Sequence, residues 1–173
     1  MCSSWANIPG IQMRIDILAE KYGTKIVCDN KPFYSFPSPE TIADAPVCDI
    51  RTCKVGYRDT YICKAAAMAS ENPSWQTNIR DLPYLEAQKK LRELDGVGPK
   101  VADCVLLFAF EKLEAVPVDV WIERILRTKY LGGEKKLTYA KAGAYAREHF
   151  GMFAGYAQEY LFASRELIRR KGE

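Results

Sequence analysis

The 173-residue sequence predicts an all-α fold, a multi-helix domain with a helix-hairpin-helix motif. Apolar residues recur at spacings of three and four along almost the whole chain, prolines and glycines fall at the junctions between those stretches, and no low-complexity or repeated segment interrupts them. Residues 11 to 22 form the first helix, ended by Gly23. The stretch YGTKIVCD that follows reads as extended chain or loop. Ser38 and Pro39 supply an N-cap and a first helical position for a short second helix. Further helices are expected over 46 to 53, 59 to 70 and 84 to 94, the last carrying Tyr84, Ala87, Leu91 and Leu94 on one stripe after Pro83. Beyond a glycine-containing turn come helices over 100 to 111, 119 to 130, 138 to 149 and 153 to 170, separated by Pro117, the Gly132-Gly133 pair and Gly151.

A hydrophobic content of 48% suits one compact domain over residues 1–173. The formal charge is +3, from 25 basic against 22 acidic residues, so the sum points only weakly to a polyanionic partner and placement must decide. No apolar run approaches the ~18 residues of a membrane span and no stretch is organised like a signal peptide, which leads to the expectation of an intracellular, soluble protein acting without a membrane. The six cysteines lie at 2, 28, 48, 53, 63 and 104, with no C-x-x-C pair, and His149 is the single histidine. Metal ligation by zinc patterns is therefore not expected. No cysteine follows Cys104, so no clustered run for an iron-sulfur cluster is available either. Five of the thiols read as isolated and reduced.

Residues 94–100, LDGVGPK, carry the chemistry. Gly96 and Gly98 allow a tight turn, and the unpaired N–H groups at the start of the next helix form an anion site that a DNA phosphate fits; an ordinary αα-hairpin reads the same way. Lys100 sits in the first turn of that apolar helix. A helix N-terminus and apolar surroundings both disfavour the ammonium form, and an amine so placed can become a nucleophile; a solvated, idle lysine is the alternative. Asp119, after Pro117, can cap the next helix and can also face developing positive charge.

The stretch LDGVGPKVADCVLLFAFEKLEAVPVDVW resembles the helix-hairpin-helix and Gly/Pro-Asp core of DNA glycosylases, specifically the 8-oxoguanine DNA glycosylase/lyase family. Further matches begin at CSSWANI, continue through FPSPETIA and VGYRDTYI, and end with GMFAGYAQEYLFA, in the family's order and covering nearly the whole chain. The resemblance implies that Lys100 attacks the sugar C1′, expels the damaged base and forms a Schiff base that leads to β-elimination. It implies that Asp119 stabilises the cationic sugar, with no metal or organic cofactor. Gln158 and Phe162, four apart on one helix, would hold the flipped base by hydrogen bonding and stacking, with Cys104 lining the pocket four residues after Lys100. Tyr57 would fill the hole left in the duplex and Arg58 would reach the widowed base, while Arg51, Lys54, Gly96 and Gly98 lie towards the backbone. Lys135, Lys136, Arg169, Arg170 and Lys171 read as solvated charge.

The chain also departs from the family pattern. A run of asparagines after CSS becomes Trp5, Ala6, Asn7, and an expected arginine is Gly10; these positions read or support the cytosine opposite the lesion. Trp121 replaces a phosphate-contacting histidine, its indole N–H still able to donate one bond. The family carries an N-terminal sheet domain before CSS, whereas this sequence begins Met1-Cys2-Ser3-Ser4, so a shortened chain with an exposed apolar docking patch is expected. The expected partner is double-stranded DNA containing oxidised guanine, bound by a monomer. A helix-hairpin-helix binding module without chemistry, an inactive fragment, and a glycosylase for another base are the alternative readings.

Overall fold

A computed structural model describes residues 1–3, 6–133 and 135–165. The chain divides into two compact units, one made of Met1–Asn78 with Leu94–Gly96, the other of Ile79–Glu93 with Val97 onwards. Trp5, Arg169, Arg170 and Lys171 lie outside the described residues.

In the first unit, α1 spans Ile8–Tyr22; the Asn7 side chain caps it by accepting from the Gly10 N–H at 2.9 Å. A two-stranded antiparallel hairpin follows, β1 Lys25–Cys28 and β2 Lys31–Tyr34, in the register Lys25 to Tyr34 and Cys28 to Lys31. Asp29 and Asn30 both take positive φ, the backbone that a two-residue hairpin turn needs and that Asp and Asn tolerate. Helix α2, Pro39–Ala43, is capped by Ser38 as its sequence demands. Helix α3 is only Val47–Ile50 and runs into a wider turn over Arg51–Val55, so the regular helix expected to residue 53 ends early. Helix α4 covers Asp59–Glu71. Leu18, Ile42, Ile50, Cys53 and Val55 form this unit's buried cluster. Beside it an apolar hollow of about 290 Å³ opens between Met1, Leu18, Phe36, Ile42 and Ile62.

Helix α5, Trp75–Asp81, has no counterpart in the sequence reading and leads from the first unit into the second. There α6, Tyr84–Leu91, and α7, Pro99–Phe110, form the two arms of the hairpin, α6 stopping three residues before the expected end. Helix α8, Val120–Ile125, starts on Asp119 and then widens through Leu126–Tyr130, where the Leu131 N–H reaches back to the Leu126 carbonyl at 3.0 Å. Helix α9, Tyr139–Phe150, is capped by Thr138, and α10 covers Ala154–Ala163. Val116, Val118, Ile122, Leu126, Ala142, Ala146 and Ala154 make the second core, with Trp121, Tyr139 and Phe162 packed against it. The fold is all-α apart from the hairpin. No described helix is long and apolar enough to cross a membrane.

Candidate active site

The second unit positions its reactive side chains from three helices. Helix α7 is apolar along most of its length, yet it carries one acid, Asp103, fully buried. An ionisable group in that position must be partnered. The Tyr84 hydroxyl donates to it at 2.9 Å, Gln88 Nε2 at 2.6 Å, and the Tyr139 hydroxyl donates to its second oxygen. Burial pushes the Asp103 carboxyl upward, and those three donors with the Arg147 guanidinium pull it back. Arg147 Nη1 in turn donates to the Tyr84 hydroxyl at 3.2 Å and its guanidinium lies 5.1 Å from the Tyr84 ring centre. This buried network ties α6 and α9 to α7. It fixes the orientation of the helix whose first turn carries Lys100.

Lys100 is half-buried, and the first turn of α7 has no side-chain cap: Gly98 precedes it with extended backbone and open space where a Cβ would stand. Cys104 is half-buried one turn further on. Burial raises its thiol, while the positive charge of the Lys100 amine acts in the opposite direction. Asp119 caps α8, its Oδ1 accepting from the Ile122 N–H at 2.7 Å. One carboxylate oxygen is thereby committed to the backbone.

Helix α10 brings in the remaining groups. A Cβ on Gly155 would lie 2.4 Å from Leu107 Cδ1 and 2.6 Å from the Ala115 carbonyl oxygen, and its N–H donates to the Leu113 carbonyl at 2.7 Å. Only a glycine permits that approach. One turn beyond it, Gln158 is 5% exposed, and its Oε1 is buried without a hydrogen-bond partner. Phe162, a turn further, is half-buried against the core, with the Arg165 guanidinium 4.3 Å from its ring centre. Between them Glu159 is half-buried. Burial raises its carboxyl, hydrogen bonding from Gln158 and the positive charge of Lys100 lower it, and the negative charge of Asp119 raises it. The charges of Lys100 and Asp119 thus act on Glu159, next to Gln158, and that of Lys100 acts on Cys104. Four of these stand out in the sequence through spacing and motif. Glu159 does not, because a glutamate on a helix reads as solvated.

In the first unit the turn over residues 51–58 uses left-handed backbone at Lys54 and Gly56. It projects Tyr57, 58% exposed, edge-on to Tyr61 with ring centres 6.3 Å apart. Arg58 does not extend outward as its expected role requires. It is 6% exposed, donates to the Val55 carbonyl at 3.0 Å and lies over the Tyr57 ring at 4.5 Å. Arg51 pairs with the buried Asp59. Asn7 Oδ1 is engaged in capping α1. Gly96 takes φ +78° with the Tyr61 ring 2.6 Å from where its Cβ would be. In the second unit Trp121 packs on the core with its indole N–H buried and, among the described residues, without an acceptor.

No protein-family profile matches the chain. Among curated proteins it is 34% identical over 167 residues to the probable N-glycosylase/DNA lyase of Methanothermobacter thermautotrophicus, covering 86% of this chain and 53% of that protein. It is 32% identical over 181 residues to the N-glycosylase/DNA lyase OGG1 of Arabidopsis thaliana, covering 99% and 49%. The crystal structure of the Clostridium acetobutylicum 8-oxoguanine glycosylase/lyase with double-stranded DNA containing cytosine opposite 8-oxoG superposes with a TM-score of 0.88 at 31% identity, over 95% of this chain and 57% of that one. By fold and sequence the chain is similar to roughly half of each of these N-glycosylase/DNA lyases, and among solved structures to 8-oxoguanine glycosylase/lyases. It spans about half the length of the curated relatives it matches.

Proposed function

We propose that the chain excises 8-oxoguanine from duplex DNA and then cleaves the strand as a lyase. Lys100 attacks C1′ of the flipped nucleotide, the damaged base leaves, and a Schiff base links the chain to the sugar before β-elimination. Asp119 faces the positive charge that develops on the sugar ring. Gln158 presents an acceptor to the edge of the base, Phe162 its face, and Cys104 lines the same cavity beside the lysine. Tyr57 is the wedge of the first unit, and the uncapped N-terminus of α7 after Gly98 takes a backbone phosphate. The partner is therefore duplex DNA, met by a monomer inside the cell.

The observation that carries this reading is an amine half-buried in the first turn of a helix that lacks a side-chain cap, its charge acting on the Cys104 thiol and the Glu159 carboxyl, together with the buried Gln158 amide oxygen that lacks a partner. The test is borohydride trapping on a duplex carrying 8-oxoG. Wild-type protein should form a covalent adduct, and Lys100→Gln should bind the duplex yet form none. An adduct in Lys100→Gln removes that residue from the role. Binding without an adduct in the wild type favours a helix-hairpin-helix binding module, which the uncapped α7 terminus alone would support.

A further inference from the structure

A separate cavity of about 330 Å³, which neither Lys100 nor Gln158 lines, lies within the second unit. Leu85, Gln88 and Arg92 line it from α6 and the residue that ends it, and Tyr139, Gly143 and Arg147 line it from α9, each set at helical spacing on one face. The room between the two rows comes from α9, which presents only Ala140 and Gly143 between its longer side chains. A glycine inside a helix weakens it, so Gly143 needs a packing reason. A Cβ there would stand 3.2 Å from Arg147 Nη1 and 3.9 Å from its Cζ; the guanidinium lies where the missing side chain leaves space. The walls are fixed in advance, since Tyr84, Gln88 and Tyr139 all donate to the buried Asp103 and Arg147 Nη1 donates to the Tyr84 hydroxyl.

The charged residues that line the cavity are Arg92 and Arg147, and no acidic side chain lines it. Among the described residues neither guanidinium is in a salt bridge; the Arg92 side chain has no acceptor and that of Arg147 has only the Tyr84 hydroxyl. Asp103 does not fill that need, because its two oxygens are taken by its own three donors. We propose that this cavity binds a small phosphomonoester, a dianion joined to a compact ring or apolar body. Two guanidiniums with no acid between them match two negative charges, and each offers paired N–H groups to phosphate oxygens. Leu85, Pro99 and Ala140 supply apolar wall for the rest of the ligand, and the volume is that of a small-ligand site, roughly 300 Å³ and upward. A phosphodiester of bound duplex is the competing occupant, with one charge where the cavity offers two cations.

Isothermal titration with phenyl phosphate at pH ~7.5, where a phosphomonoester is mostly dianionic, should show one saturable site in phosphate-free buffer with ionic strength held by chloride. Benzoate, with the same ring and a single charge, should bind roughly tenfold more weakly or worse. Equal binding of the two, or no saturable site, overturns the proposal. Arg147→Gln would also strip a donor from Tyr84, so two gentler variants carry the test. Arg92→Gln leaves the Asp103 network intact and should weaken phenyl phosphate by roughly tenfold. Gly143→Ala displaces the Arg147 guanidinium and should weaken it as well, with circular dichroism unchanged. Unchanged affinity in either folded variant overturns the proposal. Binding should also persist when the chain is first saturated with undamaged duplex; its loss would assign the two guanidiniums to a strand phosphate and overturn the proposal. None of these readouts involves Lys100 or turnover, so the outcome is independent of borohydride trapping.

Discussion

The residue that shapes the site without touching the chemistry is Asp103. It lies in the middle of VADCVLLFAF, where every neighbour argues for an apolar core, and three donors converge on it. Removing one donor leaves a buried carboxyl short of a partner, so Tyr139→Phe should cost about 1.5–3 kcal/mol in urea unfolding. The pH dependence has a definite sign. Burial raises the folded carboxyl above its ordinary value of 3.8, so the folded state holds the proton more tightly than the unfolded chain does. The Asp103 contribution is then fullest below that ordinary value and is lost as pH rises through the raised one. Wild-type stability relative to Asp103→Asn should fall over that rise; a relative gain would mean that the three donors outweigh burial. At Asp119 the cap and the charge can be separated. Asparagine caps about as well as aspartate, so Asp119→Asn should slow adduct formation with little change in melting, whereas Asp119→Ala should also lose about 1 kcal/mol.

At the scale of elements, the hairpin turn is where backbone geometry and function pull on adjacent positions. Gly96 needs both its left-handed φ and its missing Cβ, since the Tyr61 ring occupies that space; Gly98 needs neither for folding. Gly96→Ala should therefore destabilise by at least ~1 kcal/mol, from the left-handed backbone before any clash is counted. Gly98→Ala should melt like the wild type but weaken duplex binding, because the added methyl would stand where the proposed backbone phosphate approaches the α7 terminus. Equal melting of the two variants would remove the argument. These elements also show what a sequence can reveal. The long helices were legible because each buries a stripe, and Ser38, Thr138 and Asp119 announce their caps. The hairpin over residues 25–34 was not, because its strands are exposed on nearly every residue and no period of two develops. Helix α5 buries only Ile79, which is no stripe at all. Lys100 and Asp119 were legible through a motif. Glu159 and Trp121 were not, since their environments come from packing between elements distant in sequence, and Arg58 was not, because it folds back on the Val55 carbonyl and the adjacent Tyr57 ring.

For the whole molecule the open choice is between a lyase that selects a damaged base and a module that only grips duplex backbone. Phosphate contacts alone carry no information about the base, so a module would bind damaged and undamaged duplex alike. A base pocket would add differential affinity, chiefly because the buried Gln158 oxygen, unpartnered in the chain alone, would gain a partner when a suitable base edge enters. Lys100→Gln makes the comparison clean, since binding then proceeds without turnover. Ligand at about 100 times its dissociation constant stabilises a folded chain by roughly 2.7 kcal/mol, and the gain shrinks as affinity falls. An 8-oxoG duplex should therefore raise the unfolding free energy of Lys100→Gln by that amount, and an undamaged duplex at the same concentration by distinctly less. Replacing Gln158 by alanine in the same background should bring the two shifts together. Equal shifts before that replacement would assign the chain to backbone binding and leave the buried amide oxygen of Gln158 without a ligand.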